Sequence, residues 1–190
     1  MSRKTHGANN TYLRNGLQLI SKKYFILLLT IFQLQISRID AQNSVSQKIK
    51  TYSLGGQYSF GANIDKGSIG LVYVYPESDS TVLFFIDVNR GAPSYNMGNL
   101  YGRLKVKSGV GVFTKNIAGE KKSCVLEFKF QSNNLKILTL ADNDNCGFGY
   151  AVFADGTYKR SSKKIPQYFI SMTGEKHFFK ETDPNTWEND

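Results

Sequence analysis

Few residues in this sequence could do chemistry, because histidine and cysteine are both scarce. The chain has 2 His and 2 Cys, and the histidine beyond the first forty-odd residues is His177. Zinc centres and Ser–His–Asp arrangements need histidine at defined positions. His177 instead stands beside Phe178 in an aromatic stretch. We therefore predict a packing or surface role for His177, with no catalytic residue, no metal site and no cofactor.

Acidic residues leave one kind of catalysis open, since two suitably spaced carboxylates suffice for glycoside hydrolysis. Asp87 is the acid of most interest, because it lies near the end of a strongly apolar stretch and close to Arg90. We expect these two side chains to form an ion pair at a sheet rim. Residues 142–147 resemble the start of a calcium loop, but Cys146 and Phe153 occupy positions that need oxygen ligands. A polar turn is favoured there.

Residues suited to binding are concentrated in one ten-residue loop and the start of the strand after it. Loops on β scaffolds often carry function. Tyrosine offers a broad apolar face with little rotamer entropy to lose, and arginine can engage a carboxylate with two nitrogens. We predict an exposed binding patch at one end of the fold, and the alternative is a structural loop whose tyrosines pack on that end. The predicted binding residues are Arg90, Tyr95, Asn96, Tyr101 and Arg103.

The two cysteines are predicted to form a disulfide. Cys124 and Cys146 stand at opposite ends of a predicted hairpin whose turn is Ser132-Asn133-Asn134. A bridge closing a loop of this length stabilises a protein by about 3 kcal/mol in the chain-entropy description. The alternative is a pair of free, buried cysteines that behave as small apolar residues.

Short apolar segments with period-two alternation predict the elements that position these residues. Alternation of this kind indicates half-buried strands, and turn-forming residues recur every 8–12 positions or so. Asp155-Gly156 has the residue types of a tight two-residue turn, which predicts a hairpin there. The predicted strands are 51–60, 69–75, 81–89, 100–107, 110–115, 124–131, 135–140, 150–153, 157–160, 168–172 and 176–179.

The strand 81–89 is apolar on both faces, so both faces must be covered. Its even-numbered positions form one apolar face, while Leu83 and Phe85 lie on the other. We expect the aromatic C-terminal hairpin and the tail with Trp187 to cover that second face. Because nearly all connections are short, the predicted fold is an all-β antiparallel meander of about ten strands closed into a small barrel, and the alternative is a β-sandwich.

The N-terminal residues have the pattern of a secretory signal. Basic residues precede a short apolar run, Tyr24–Leu34, and Ala41 offers a small residue for cleavage. Such a run is too short for a membrane span, which needs about twenty residues. We predict a signal peptide at 1–41, a single all-β domain at 42–190, and no membrane span after processing. The location is then periplasmic or secreted.

Charge and composition narrow the function to three classes. The chain carries a net charge of +9, and without residues 1–41, which contain six Lys or Arg and one Asp, +4 remains. This net charge is small and the basic residues form no dense cluster, so a nucleic-acid partner is not expected. The favoured function is an exported, non-catalytic protein that binds a protein or glycan at the envelope, such as an inhibitor or immunity-type partner of an envelope enzyme. A barrel holding a small apolar ligand and a two-carboxylate hydrolase are the alternatives.

Overall fold

The computed structural model describes residues 52–116 and 122–187, with the backbone alone for 141–144. All of these residues belong to one compact unit. The predicted signal peptide at 1–41 and the first residues of the predicted mature domain, 42–51, lie outside the described residues. The export of the chain therefore stays a prediction.

Strands make up most of the described chain, as the period-two pattern predicts. One turn of 3-10 helix, Ile64–Lys66, lies in the loop between the first two strands. In chain order the strands are β1 (Gly56–Phe60), β2 (Ile69–Pro76), β3 (Thr81–Asn89), β4 (Met97–Lys105), β5 (Val110–Lys115), β6 (Cys124–Gln131), β7 (Asn134–Asp144), β8 (Gly156–Ser162), β9 (Tyr168–Ile170) and β10 (Lys176–Phe178).

Eight strands form one antiparallel sheet in the order β4-β3-β2-β1-β8-β7-β6-β5. The two edge strands, β4 and β5, are consecutive in the chain, and a short turn joins them through backbone hydrogen bonds of 2.9 and 3.0 Å between Lys107 and Val110. The edges therefore lie side by side and the sheet curls into a nearly closed barrel. Gly111 permits this approach, because a Cβ there would lie 2.7 Å from the carbonyl oxygen of Lys105. The predicted barrel is confirmed over the sandwich.

Apolar side chains fill the inside of the barrel. Phe84 lies at its centre, with its ring 4.7 Å from that of Phe128 and 5.0 Å from that of Phe113. Two buried tyrosines satisfy their hydroxyls on nearby carbonyl oxygens, since Tyr58 and Tyr158 each donate a 2.8 Å hydrogen bond. The interior residues of the strands are Tyr58, Val72, Val74, Val82, Phe84, Ile86, Val88, Leu100, Leu104, Phe113, Cys124, Leu126, Phe128, Leu135, Ile137 and Tyr158.

A second apolar layer covers the outer face of β3 and β4, where the sequence predicts it. The C-terminal segment supplies the cover, with β9 and β10 paired as a hairpin. Phe169 stacks on Phe85 with 4.2 Å between ring centroids, and the Trp187 ring lies 5.8 Å from that of Tyr101. This layer consists of Leu83, Phe85, Tyr101, Phe169, Phe179 and Trp187, with Tyr73 and Tyr75 packed against it.

The hairpin predicted across Asp155-Gly156 is wrong. Residues 150–155 form no strand, and β8 begins at Gly156 and pairs with β1 and β7. Asp155 is instead held by β7, because its carboxylate accepts hydrogen bonds from the backbone N–H of Thr139 (2.8 Å) and from its hydroxyl (2.5 Å). A long-range contact thus overrides the local turn preference. The polar turn predicted at 142–147 is also partly wrong, since β7 continues to Asp144.

The predicted disulfide is confirmed. Cys124 and Cys146 are bonded with their Cα atoms 4.5 Å apart, and both are buried. The bond joins the start of β6 to the segment that follows β7. It therefore fixes the start of residues 147–155, which cross one end of the barrel.

Candidate functional site

The five predicted binding residues do not form one continuous patch. Arg90, Tyr95 and Asn96 lie together in the loop between β3 and β4, at the end of the barrel that we call the Arg90 end. Tyr101 and Arg103 lie farther along β4, and Arg103 is seven residues beyond Asn96. At about 3.3 Å per strand residue, this separation is roughly 20 Å.

Tyr101 and Arg103 connect the barrel to its C-terminal segment, which corrects the predicted patch. The Tyr101 side chain is 1% exposed and its hydroxyl donates to the carbonyl oxygen of Thr182 at 3.0 Å. Burial raises the pKa of this tyrosine. Arg103 donates to Glu77 in a bidentate contact, with two of its bonds at 2.9 Å, and lies 3.9 Å from Asp183. Tyr101 therefore offers a partner no accessible surface, and the Arg103 nitrogens already contact two carboxylates.

The side chain of Asn89 organises the loop that carries the other three residues. Its Oδ1 accepts from the N–H of Gly91 at 2.7 Å, and its Nδ2 donates to the carbonyl oxygen of Tyr95 at 3.3 Å. Backbone bonds from Arg90 to Asn96 and from Tyr95 to Gly91, both 2.9 Å, close the loop on itself. A loop with this many internal hydrogen bonds is preorganised. The loop also contains a cis peptide bond before Pro93.

Hydrogen bonds tie this loop to the two loops beside it. The Tyr95 hydroxyl donates to Asp65 at 2.6 Å, and this bond raises the pKa of Tyr95. Ser68 donates to the carbonyl oxygen of Arg90 at 2.9 Å. On the other side, the Asn96 amide donates to the carbonyl oxygen of Tyr150 at 2.8 Å. Three loops of the Arg90 end are thus held in one arrangement.

Residues of these loops line an open cleft of about 440 Å³, which we call the Arg90 cleft. Arg90 is half-buried, and within residues 52–116 and 122–187 its guanidinium makes no hydrogen bond or ion pair. Asp155 also lines the cleft, but Thr139 already contacts both of its oxygens. Of the two charged side chains that line this cleft, Arg90 is therefore the one whose hydrogen-bonding groups remain available to a ligand. The lining residues are Phe60, Ser68, Asn89, Arg90, Thr139, Ala151, Val152, Phe153 and Asp155.

Exposed aromatic side chains lie on the loops that line the Arg90 cleft, and we call them the aromatic rim: Tyr95, Tyr150 and Phe153. The exposed fractions are 44%, 84% and 56%. Sequence reasoning missed Tyr150 and Phe153, because it assigned their segment to a strand. The sequence signal for an irregular segment was the presence of two glycines, Gly147 and Gly149, just before it.

A second cleft, of about 350 Å³, lies on the outer face of β2 and β3, and we call it the Asp87 cleft. The ion pair predicted between Asp87 and Arg90 does not form. Asp87 lies on the outer face of β3, whereas Arg90 begins the loop and lines the other cleft. Burial raises the pKa of Asp87. The lining residues are Ser59, Phe60, Gly61, Ala62, Ile64, Ile69, Gly70, Leu71, Asp87, Asn89 and Met97.

His177 packs in the outer apolar layer, as predicted. Its ring stacks on Phe169 at 5.3 Å and meets Trp187 edge-on at 4.7 Å. In the part of the chain that the structure describes, no group of three or more His, Cys, Asp or Glu side chains is placed to hold a metal ion.

Comparison with protein families, with characterised proteins and with solved structures gives no match to this chain. Among residues 52–116 and 122–187, no helix has the length and apolar character needed to cross a membrane.

Proposed function

We propose that this chain is an exported, non-catalytic protein that binds a protein partner at the Arg90 end of its barrel. The observation that carries the proposal is the half-buried Arg90, which has no ion pair or hydrogen bond from its guanidinium among the described residues. It lies in a cleft rimmed by exposed aromatic side chains. Arginine and tyrosine are, with tryptophan, the residue types that most often dominate binding energy at interfaces.

The partner group that suits this cleft is a carboxylate. A planar guanidinium can donate two parallel hydrogen bonds to a carboxylate, and such charged bonds are about twice as strong as neutral ones. The aromatic rim would exclude water around that contact. Since the three loops are already hydrogen-bonded to each other, little ordering entropy is lost on binding. The partner is thus a protein that inserts an acidic side chain, such as an envelope enzyme bound by an inhibitor or immunity-type protein.

The Cys124–Cys146 bond supports the export part of the proposal. Disulfides persist in the periplasm and outside the cell and are rare in the cytosol. Intact-mass measurement of the protein from its native host tests this directly. Cleavage near Ala41 is expected, and a full-length chain in the cytosol would contradict it.

The alternative functions receive less support from the geometry. The barrel interior is filled by side chains, so an apolar ligand would have to bind elsewhere. For a hydrolase, two free carboxylates should share a cleft, but Asp155 and Asp87 are the acids of different clefts. A third cleft, near the C-terminal segment, is lined by Glu77, Glu181 and Asp183. Glu77 and Asp183 both contact Arg103, so they are not a pair of free carboxylates.

Affinity capture with matched variants tests the binding proposal. Wild type, Arg90→Ala and Lys107→Ala are each used to capture partners from envelope and secreted fractions of the host. Lys107 is an exposed cation in the turn between β4 and β5, at the opposite end of the barrel, so its loss matches the change in charge. Loss of an anchoring side chain should cost about 2 kcal/mol, or roughly thirtyfold in affinity.

We expect a protein that Lys107→Ala retains and Arg90→Ala loses. A partner that both variants retain equally would overturn the proposal. Periodate treatment of the extract separates the glycan outcome, because it destroys sugar rings and leaves a protein epitope of acidic side chains intact. Loss of binding after periodate would contradict a protein partner.

A further inference from the structure

The Asp87 cleft contains a carboxylate without a local partner. Asp87 is half-buried in β3, and among the described residues its oxygens accept no hydrogen bond and form no ion pair. The groups that line the cleft around it are largely apolar, and they include Ile64, Ile69 and Leu71. A charge in such surroundings is costly unless a cation or a donor engages it. The carboxylate is therefore set to attract a positively charged group.

Asn99 adds a second unused polar group beside this carboxylate. In the register of β3 and β4, Asn99 stands directly opposite Asp87. It is 2% exposed, and neither its amide oxygen nor its amide nitrogen has a hydrogen-bond partner. Its neighbours Leu100 and Tyr101 show that it shares the outer face with Asp87, because Leu100 points into the barrel and Tyr101 into the outer layer. Buried polar side chains nearly always have a partner.

We propose that the Asp87 cleft is a second binding site, which takes a primary ammonium group carried on an apolar chain. The ammonium has three donors and no acceptor, which matches the oxygens of Asp87 in the cleft lining, and the buried amide of Asn99 stands opposite Asp87 on the adjacent strand. The apolar chain would lie against Ile69 and Leu71. A lysine side chain and a free alkylamine both have this chemistry.

This proposal does not rest on the function proposed for the Arg90 cleft, although Phe60 and Asn89 line both clefts. Asp87 lies on the outer face of β3, and Arg90 belongs to the loop that follows the strand. Arg90→Ala should therefore leave ammonium binding unchanged. A result in which one cleft binds and the other does not distinguishes the two proposals.

Chemical-shift titration of the methyl groups of Ile69 and Leu71 in the full protein tests the site. The probes are n-hexylamine and Nα-acetyl-lysine methylamide. Their neutral counterparts are n-hexanol and Nα-acetyl-norleucine methylamide. The ammonium probes should bind roughly tenfold or more tightly than the neutral probes. Tighter binding of the lysine derivative points to a polypeptide ligand, and tighter binding of hexylamine to a free amine.

Three variants complete the test. Asp87→Asn should weaken ammonium binding roughly tenfold or more. As a control, Asp79→Asn removes the same charge from the turn that precedes β3 and should leave ammonium binding unchanged. Ala62→Trp should block the cleft sterically and leave the charge in place. Asp87→Asn should also fold at least as stably as wild type, because it removes a half-buried charge. Equal binding of charged and neutral probes, or unchanged binding by Asp87→Asn, would overturn the proposal.

Discussion

Two adjacent phenylalanines offer a sharp test of the outer apolar layer. Phe179 is 1% exposed, whereas Phe178 is 42% exposed on the opposite face of the C-terminal hairpin. The Phe179 ring stacks on Tyr75 at 5.4 Å and lies 5.3 Å from Phe169. Phe178 contacts Tyr168 edge-on at 6.0 Å. Replacing each by alanine removes the same atoms from two very different surroundings.

The expected magnitudes differ several-fold. A buried Phe→Ala change costs about 3–5 kcal/mol of unfolding free energy, through lost burial and the cavity left behind. At about 3–4 °C per kcal/mol for a domain of this size, Phe179→Ala should lower the melting temperature by roughly 10–20 °C. Phe178→Ala should cost about 1 kcal/mol or less, because its ring is already partly in water.

Urea unfolding followed by tryptophan fluorescence measures this difference. Trp187, the only tryptophan of the chain, lies in the layer under test. We expect a large fall in the transition midpoint for Phe179→Ala, with a similar slope, and a small fall for Phe178→Ala. Equal effects of the two variants would refute the packing of the C-terminal segment on β3 and β4.

Three further predictions concern single interactions. Replacing Cys124 and Cys146 by alanine should lower the free energy of unfolding by about 3 kcal/mol in urea titrations, and a reducing agent should have the same effect on wild type alone. Tyr101→Phe removes a hydroxyl that donates to a backbone carbonyl and should cost about 1 kcal/mol, measured as a lower melting temperature. Burial raises the pKa of Asp87 above 3.8, so the folded state binds this proton more tightly than the unfolded state does. The contribution of Asp87 to stability therefore falls as the pH rises from the pKa of the unfolded state to that of the folded state. The stability advantage of Asp87→Asn over wild type should therefore grow as the pH rises above about 4 and then level off, and an advantage independent of pH would contradict this account.

Local periodicity was sufficient to predict the sheet and both of its apolar layers. The alternation of Phe84 and Phe85 requires two covered faces, and the structure buries one in the barrel and the other beneath the C-terminal aromatics. The turn between β4 and β5 is also visible in the sequence as Ser108-Gly109. Such features depend on residues that are close together in the chain, so they can be predicted from a single sequence.

The site was predicted less well, because its arrangement depends on contacts between distant residues. Asp155 bonds to Thr139 rather than closing a hairpin, and this leaves Phe153 on the rim of the Arg90 cleft. Arg103 pairs with Glu77, which is twenty-six positions away in the chain. No local pattern indicates which arginine finds a carboxylate and which does not. The loop of Arg90 was identified correctly as a loop, but its neighbours in space were not.

Site-specific photo-crosslinking tests the central claim most directly. A photoreactive amino acid is placed at Phe153, on the aromatic rim, or at Val112, which is 51% exposed on β5. Each protein is then irradiated in the envelope and secreted fractions of the host. We predict a covalent adduct with one protein partner from position 153 and none from position 112, and Arg90→Ala should abolish that adduct. A partner crosslinked from position 112 but not from position 153 would contradict docking at the Arg90 end.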